Sequence, residues 1–259
     1  MSLAARARTA VPTDTGRGAG ADGHTGFAAR AAVRAERGPG GRTRITRLRS
    51  DGPLALRESG DSVYLVGAGA GPLGGDDLEL TIEVGPGARL DLRSAAAALV
   101  LPGRRDAGTS RLIVRADVAA GGRLVFAPEP TIAAAGCDHH ALAEVTLDEG
   151  AELVWREEIV LGRHDEPPGR YVSRFDVTAG TVPLLRHELR IDEDATSGAV
   201  LGDAGAVGTL LITGVTAEPY ADEGLAVLPL AGPGVLVTAM AADTVRLRER
   251  LERGRRLFT

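Results

Sequence analysis

The amino-acid sequence predicts an all-β protein of stacked β-hairpins, β-helix-like or layered, with a short C-terminal helix. Three observations predict it: apolar residues alternate along most of the chain, a turn motif recurs without gaps, and one terminal segment is amphipathic. Leu78, Leu80, Ile82 and Val84 alternate with Glu79, Thr81 and Glu83, the period of a strand with one face in a core. Leu112, Val114, Ala116 and Val118 repeat that spacing, as do Tyr171, Ser173, Phe175 and Val177.

The recurrence carries more information. Val84-Gly-Pro-Gly-Ala-Arg-Leu90 aligns with Val118-Ala-Ala-Gly-Gly-Arg-Leu124 and with Leu147-Asp-Glu-Gly-Ala-Glu-Leu153. In each copy an alternating strand ends on an apolar residue, glycine follows three positions later, and leucine opens a second strand. Val177-Thr-Ala-Gly180 is a degenerate fourth copy, with Pro183 in the place of the leucine. Glycine supplies the positive φ of a tight turn, so each copy reads as strand, turn and return strand. Units of about 30 residues that cannot bury their own apolar faces stack on one another.

Around this repeat the other elements fall in order. Residues 1–25 are small, polar and aperiodic and read as a disordered N-terminal segment. Residues 26–259 read as a single β-rich domain, organised from near Gly26. Gly69-Ala-Gly71-Pro-Leu-Gly74 spells a dinucleotide fingerprint behind a strand at Val63–Val66. That fingerprint needs a helix opening at its third glycine, whereas Asp76–Val84 alternates as a strand; the stretch reads as a glycine-rich loop. Asp243–Arg253 is the helix, with Asp243 as N-cap, Leu247 and Leu251 on one face, and Gly254 as its terminator.

What the 259-residue chain lacks excludes several chemistries. It has no lysine, so a P-loop and a pyridoxal Schiff base are both ruled out. Its single cysteine, Cys137, permits no internal disulfide, CxxC pair or all-cysteine cluster. A formal net charge of −5 offers no long-range attraction to nucleic acid or an anionic membrane. No apolar run reaches the roughly 18 residues of a membrane span. A cytoplasmic protein that works by binding other proteins is the expectation.

Candidate chemistry is sparse. Cys137-Asp138-His139-His140 resembles a metal cluster in miniature, but on a strand Cys137 and His139 share one face and Asp138 and His140 the other. Two ligands per face fall short of a zinc site, and the segment reads as a loop tip with solvated imidazoles. Glu157 and Glu158, with Asp165, Glu166 and Asp176, are the material for a paired-carboxylate acid/base site, though no spacing fixes them. No GxSxG elbow is present. Arg186-His187-Glu188 reads as an exposed strand face.

Five stretches in order resemble one family, the urease accessory protein D family (UreD, also called UreH). They are Gly41-Arg42-Thr43-Arg44 running to Asp51-Gly-Pro-Leu54; Gly71-Pro-Leu-Gly74-Gly75-Asp76-Asp-Leu78; Ser94-Ala95; Ala127-Pro128-Glu-Pro130-Thr131-Ile132; and Trp155-Arg-Glu-Glu158-Ile-Val-Leu-Gly162-Arg163. The resemblance spans about Gly26 to Leu257. It implies a β-rich, non-catalytic scaffold in the maturation of nickel-dependent urease. Such a scaffold binds the accessory F protein, through it the nickel-carrying GTPase G, and docks on apo-urease. It also implies transient nickel passage, with Asp76, Glu158 and His164 as candidate contacts and no tightly bound cofactor.

Arg93, Ala96 and Ala97 depart from the polar Thr-Gln-Ser-Ala-Thr-Lys type of segment common in that family, and Gly169-Arg170 stands where Gly-Glu is common. Two other function classes remain. One is a metal-independent β-solenoid adaptor, which predicts no partnership with an F protein. The other is a carbohydrate-active enzyme using paired carboxylates, in which Glu158→Gln abolishes turnover.

Overall fold

The computed structural model describes residues 26–67, 69, 71–104, 106–192 and 200–258; the disorder expected of residues 1–25 lies outside the described residues. The chain opens with two antiparallel pairs, β1 (Ala28–Arg37) with β2 (Thr43–Arg49), and β3 (Leu54–Ser59) with β4 (Ser62–Gly67). Three coils follow. The first is β5 (Asp77–Val84), β6 (Arg89–Ser94) and β7 (Ala98–Val100). The second is β8 (Ser110–Val118), β9 (Arg123–Phe126) and β10 (Thr131–Ala133), and the third is β11 (Asp138–Leu147) and β12 (Glu152–Leu161). Next come β13 (Arg170–Ala179), β14 (Val182–Ile191), β15 (Ala206–Thr213), β16 (Tyr220–Asp222), β17 (Leu225–Pro229) and β18 (Gly234–Ala241), and then α1 (Thr244–Arg255). Between β4 and β5 the described residues, 69 and 71–76, open no helix, as expected of a loop.

Two sheets result. One has seven strands in the order β14-β13-β11-β8-β5-β1-β2. The other has eleven, with a main path β16-β17-β18-β15-β12-β9-β6-β4-β3 and with β7 and β10 pairing beside β12. The repeats stack as a β-solenoid, but their arms do not pair with each other. β5 lies parallel to β1 and β8, while β6 lies parallel to β4 and β9. Each copy is therefore an arch that carries the chain from one sheet to the other. The reason lies in the pattern: Ile82 and Val84 before the turn and Leu90 and Leu92 after it are all buried, and face-to-face packing covers both sets at once. Only the degenerate copy is a hairpin, β13 with β14. There Pro183 costs no ladder bond on the outer side, because β14 is an edge strand.

The gap-free alignment in sequence is a ladder in space. Val84 pairs with Val118 and Val118 with Leu147; Leu90 pairs with Leu124 and Leu124 with Leu153. The glycines of the four copies share one conformation, φ 63° at Gly87, 65° at Gly121, 67° at Gly150 and 60° at Gly180. At Gly121 nothing lies within 4 Å of where a Cβ would sit, so the turn's dihedral alone calls for glycine.

Three aromatic residues stack between the sheets. Trp155 stacks on Phe126, its in-register neighbour, at 4.0 Å between ring centres, and on Phe175 from the opposite sheet at 5.1 Å. On the outer faces charges link neighbouring strands: Arg115 on β8 reaches Glu144, its in-register partner on β11, at 2.9 Å and the diagonally placed Glu79 on β5 at 2.6 Å. Pairs this exposed contribute little singly.

α1 builds a second core, laying Leu247 and Leu251 on Leu225, Val227 and Val237. Asp243 caps it as expected, accepting a hydrogen bond from the Arg246 amide at 2.8 Å. Gly254, expected to end the helix, lies inside it, and the C-cap is Arg256. A Cβ at Gly254 would stand 2.5 Å from Val237 Cγ1, so this glycine serves close approach to β18 rather than termination. No helix among the described residues is long and apolar enough to cross a membrane.

Gly121→Ala is expected to lower stability by about 1–2 kcal/mol, the cost of holding a β-carbon in a left-handed conformation. Gly121→Asn is expected to cost less, since asparagine tolerates that region. Urea unfolding of the three proteins tests the ordering.

Candidate functional site

Segments far apart in sequence meet where β10 pairs with β12. Thr131 lies beside Ile159 and Ile132 beside Val160, while Thr131 also lies beside Ala98 of β7. The N-terminal half of α1 faces the same corner. Pro130, Ile132, Gly162, Arg163 and His164 thus line one cleft of about 570 Å³ together with Thr244 and Arg248. Ser94 is tied in from below: its hydroxyl donates to the Ala96 carbonyl at 2.9 Å and accepts from the Glu129 amide at 2.8 Å.

An ion cluster anchors the cleft. The Glu158 side chain is fully buried, and both of its oxygens accept from Arg248 Nε, at 3.1 and 2.9 Å. Arg248 also reaches Glu129 Oε2 at 2.8 Å. Arg156 approaches Glu158 at 3.4 Å and donates from Nη2 to the Pro128 carbonyl at 3.1 Å. Glu158, and then Glu129, hold the Arg248 guanidinium above its ordinary pKa. A carboxylate this deep is tolerated only because it is paired.

At the mouth, Arg163 and Glu166 clamp a turn, with Arg163 Nε 2.7 Å and its amide 2.9 Å from Glu166 Oε1. The Arg163 hydrogen bonds hold the Glu166 carboxyl down at about 2. His164 and Asp165 are exposed at the tip of that turn, 3.2 Å apart. Gly162 has a φ of 87°.

Asp76 lies elsewhere, at the corner before β5, and is 2% exposed. Its carboxylate accepts from the Phe27 amide at 2.8 Å and the Leu73 amide at 2.9 Å, fixing the Gly74-Gly75 turn. Pro128 precedes the cleft, and Gly71 stands at the start of the Asp76 corner. The three candidate nickel contacts therefore do not form one group, and among the described residues no three His, Cys, Asp or Glu side chains gather as a metal cage. Glu129, His164 and Asp165 line the rim of the cleft, Glu129 in its ion pair with Arg248.

The strand period separates Glu157 from Glu158. Glu157 points between the sheets, accepting from Trp155 Nε1 at 3.1 Å and from the Ser173 hydroxyl at 2.9 Å, and burial raises its pKa. The two carboxylates therefore do not flank a common substrate. Cys137-Asp138-His139-His140 is not a solvated loop tip: it opens β11, with Cys137 and His139 buried and His140 exposed. His139 Nδ1 lies 2.8 Å from the Ser110 hydroxyl, and burial lowers its pKa to about 4. Burial pushes the Cys137 thiol up to about 11. On β14, Arg186 and Glu188 are exposed as expected and His187 is half-buried.

Sequence reasoning missed Arg248 and Arg156. Arg248 reads as one of many solvated arginines on a helix, and its partner Glu158 lies 90 positions away; no local signal links them.

Arg248→Ala is expected to cost about 3 kcal/mol by leaving Glu158 buried without its main partner, read from urea unfolding with Glu129→Gln as the milder comparison. Glu157 gives a pH test. Its folded pKa lies above its unfolded one, so stability is lost as pH rises through the folded value. Glu157→Gln should be the more stable protein at pH 8, with an advantage that shrinks as pH falls and vanishes below the unfolded glutamate pKa of about 4.3; thermal unfolding from pH 8 to about pH 3.5 reads it.

Comparison with known proteins points to the same family as the sequence resemblance. The family model described as UreD urease accessory protein matches residues 28–259. The urease accessory protein UreD of Frankia alni (strain DSM 45986 / CECT 9034 / ACN14a) is 44% identical, over 88% of this chain and 92% of its own. That of Frankia casuarinae (strain DSM 45818 / CECT 9043 / HFP020203 / CcI3) is 42% identical, over 90% of each. That of Streptomyces coelicolor (strain ATCC BAA-471 / A3(2) / M145) is 44% identical, over 83% of this chain and 91% of its own.

Proposed function

The chain belongs to the UreD urease accessory protein family, and from that premise we propose that it is a non-catalytic scaffold in nickel-dependent urease maturation. In this reading it works in the cytoplasm and bridges apo-urease and the accessory F protein, with the nickel-carrying GTPase G joining through F. The observation that carries the proposal is the family match along nearly the whole described chain. The convergence of Ser94, Pro130, Ile132, Glu158, Gly162 and Arg163 around one cleft supports it. These residues mostly shape backbone and hold an ion cluster, as suits a surface that positions partners.

Nickel is cargo in this reading. A scaffold that hands an ion onward needs weak, successive oxygen and imidazole contacts, since a closed cage would retain it. Glu129, His164 and Asp165 at the rim of the cleft have that character. The absence of lysine-based nucleotide chemistry fits a division of labour in which GTP is hydrolysed by another chain.

Co-expression with the F homologue from the same source, affinity capture and size-exclusion chromatography test the scaffold role. Co-elution that then recruits the GTPase, with a higher soluble yield than the chain alone, is the expected result. Two separate peaks with unchanged yield would overturn it in favour of an unrelated adaptor.

A further inference from the structure

The exposed arginines of this chain are not evenly served with partners. On the seven-stranded sheet, Arg30 is paired with Asp77 at 2.8 Å, Arg34 with Glu36 at 2.7 Å, and Arg174 with Asp176 at 3.0 Å. Among the described residues Arg37, Arg42, Arg44, Arg47, Arg49 and Arg89 have no ion pair. All six are exposed, and five of them sit on or beside β2. Arg47 even stands directly opposite Arg34 in the β1–β2 pairing, a like-charge placement that is unfavourable on its own.

Three of them converge on a cleft of about 760 Å³, where Arg37, Arg42 and Arg89 line the walls with Arg123, and Ile45 and Leu90 are among its apolar residues. The other three lie on the outer face of the sheet, Arg44 opposite Glu36, Arg47 opposite Arg34 and Arg49 opposite Ala32, whereas Thr43 and Ile45 of the same strand face the cleft. A chain of net charge −5 keeps this local positive excess against its own balance.

We propose that this cleft docks an acidic segment of a partner protein. Arginine presents paired donors that match carboxylates in fork geometry, and Arg37, Arg42 and Arg89, without an ion pair among the described residues, leave those donors free at the cleft. A cleft of about 760 Å³ exceeds a small anion. Glu58, Asp61 and Asp91 also border the cleft and no aromatic residue lines it. A nucleic acid, with a charge at every step and bases to stack, fits that lining poorly, whereas a peptide can space its carboxylates past them. Charged edges also deter stray strand addition, but that explains neither the missing counter-ions nor Arg37 and Arg89 at the cleft. The inference rests on the scaffold reading only in taking the ligand to be a protein.

The test is fluorescence anisotropy on the full chain with a labelled peptide of about twelve residues alternating Glu and Ser, set beside its Gln–Ser counterpart and a thymidine oligonucleotide of equal length. The Glu–Ser peptide should bind, weaken as NaCl rises from about 50 to about 300 mM, and outcompete both controls. The triple variant R37Q/R42Q/R89Q should bind it about tenfold more weakly or worse, with circular dichroism and urea midpoint matching wild type; should the triple misfold, R42Q/R89Q serves the same comparison. Equal binding by the folded variant, or tighter binding of the oligonucleotide, would overturn the proposal. Capture of the F homologue is run in parallel: its persistence without peptide binding sinks the acidic docking alone, and its absence with peptide binding intact sinks the scaffold reading alone.

Discussion

Val118 lies between Val84 and Leu147 in one sheet, and Leu124 between Leu90 and Leu153 in the other; the remaining structure depends on this in-register parallel contact between coils. A slip of one residue along β8 would turn Arg115 and Asp117 inward and Val114 and Ala116 outward. The aromatic stack on Trp155, the Glu79–Arg115–Glu144 links and the β10–β12 pairing all presuppose the same register. So does the candidate site, because its two motif segments touch only when the second and third coils are level.

Most of the fold was legible because strand alternation and positive-φ glycine leave local marks. Leu78–Val84, Tyr171–Val177 and the four turn glycines became elements where the pattern put them. The pairing was not legible. The motif around Gly121 specifies how the chain turns, not which strand receives the hydrogen bonds, and an arch and a hairpin share that turn chemistry. Gly254 shows the same limit for the helix: the residue that ends a helix on an open surface is here demanded by Val237, a neighbour visible only in three dimensions.

The candidate site was legible in part. Pro128–Ile132 and Glu158–Arg163 drew notice through their order along the chain, and the structure sets them side by side. Glu157 and Glu158 looked like a pair because they are adjacent, and the two-residue period of β12 puts one between the sheets and the other beneath α1. Arg248 was invisible because its role depends on a helix crossing the outer face of a sheet whose relevant strand ended some 80 residues earlier. Cys137 and His139 misled for the opposite reason: their polarity suggested solvent, but a hydroxyl from Ser110 satisfies the imidazole inside.

The parallel register also governs how such a chain reaches its fold. Ser110 meets His139, 29 positions on, and Asp77 meets Arg111, farther still, so no coil can complete its ladder from local contacts. Each coil needs the one before it as a template, and closing each loop costs entropy before any hydrogen bond offsets it. Growth by accretion along the direction of synthesis follows, with a bare parallel edge at the front until β13 and β14 fold back on each other and seal it. For a nascent chain emerging from the N-terminus first, the time between the first arch and that sealing hairpin is the interval of greatest exposure to aggregation.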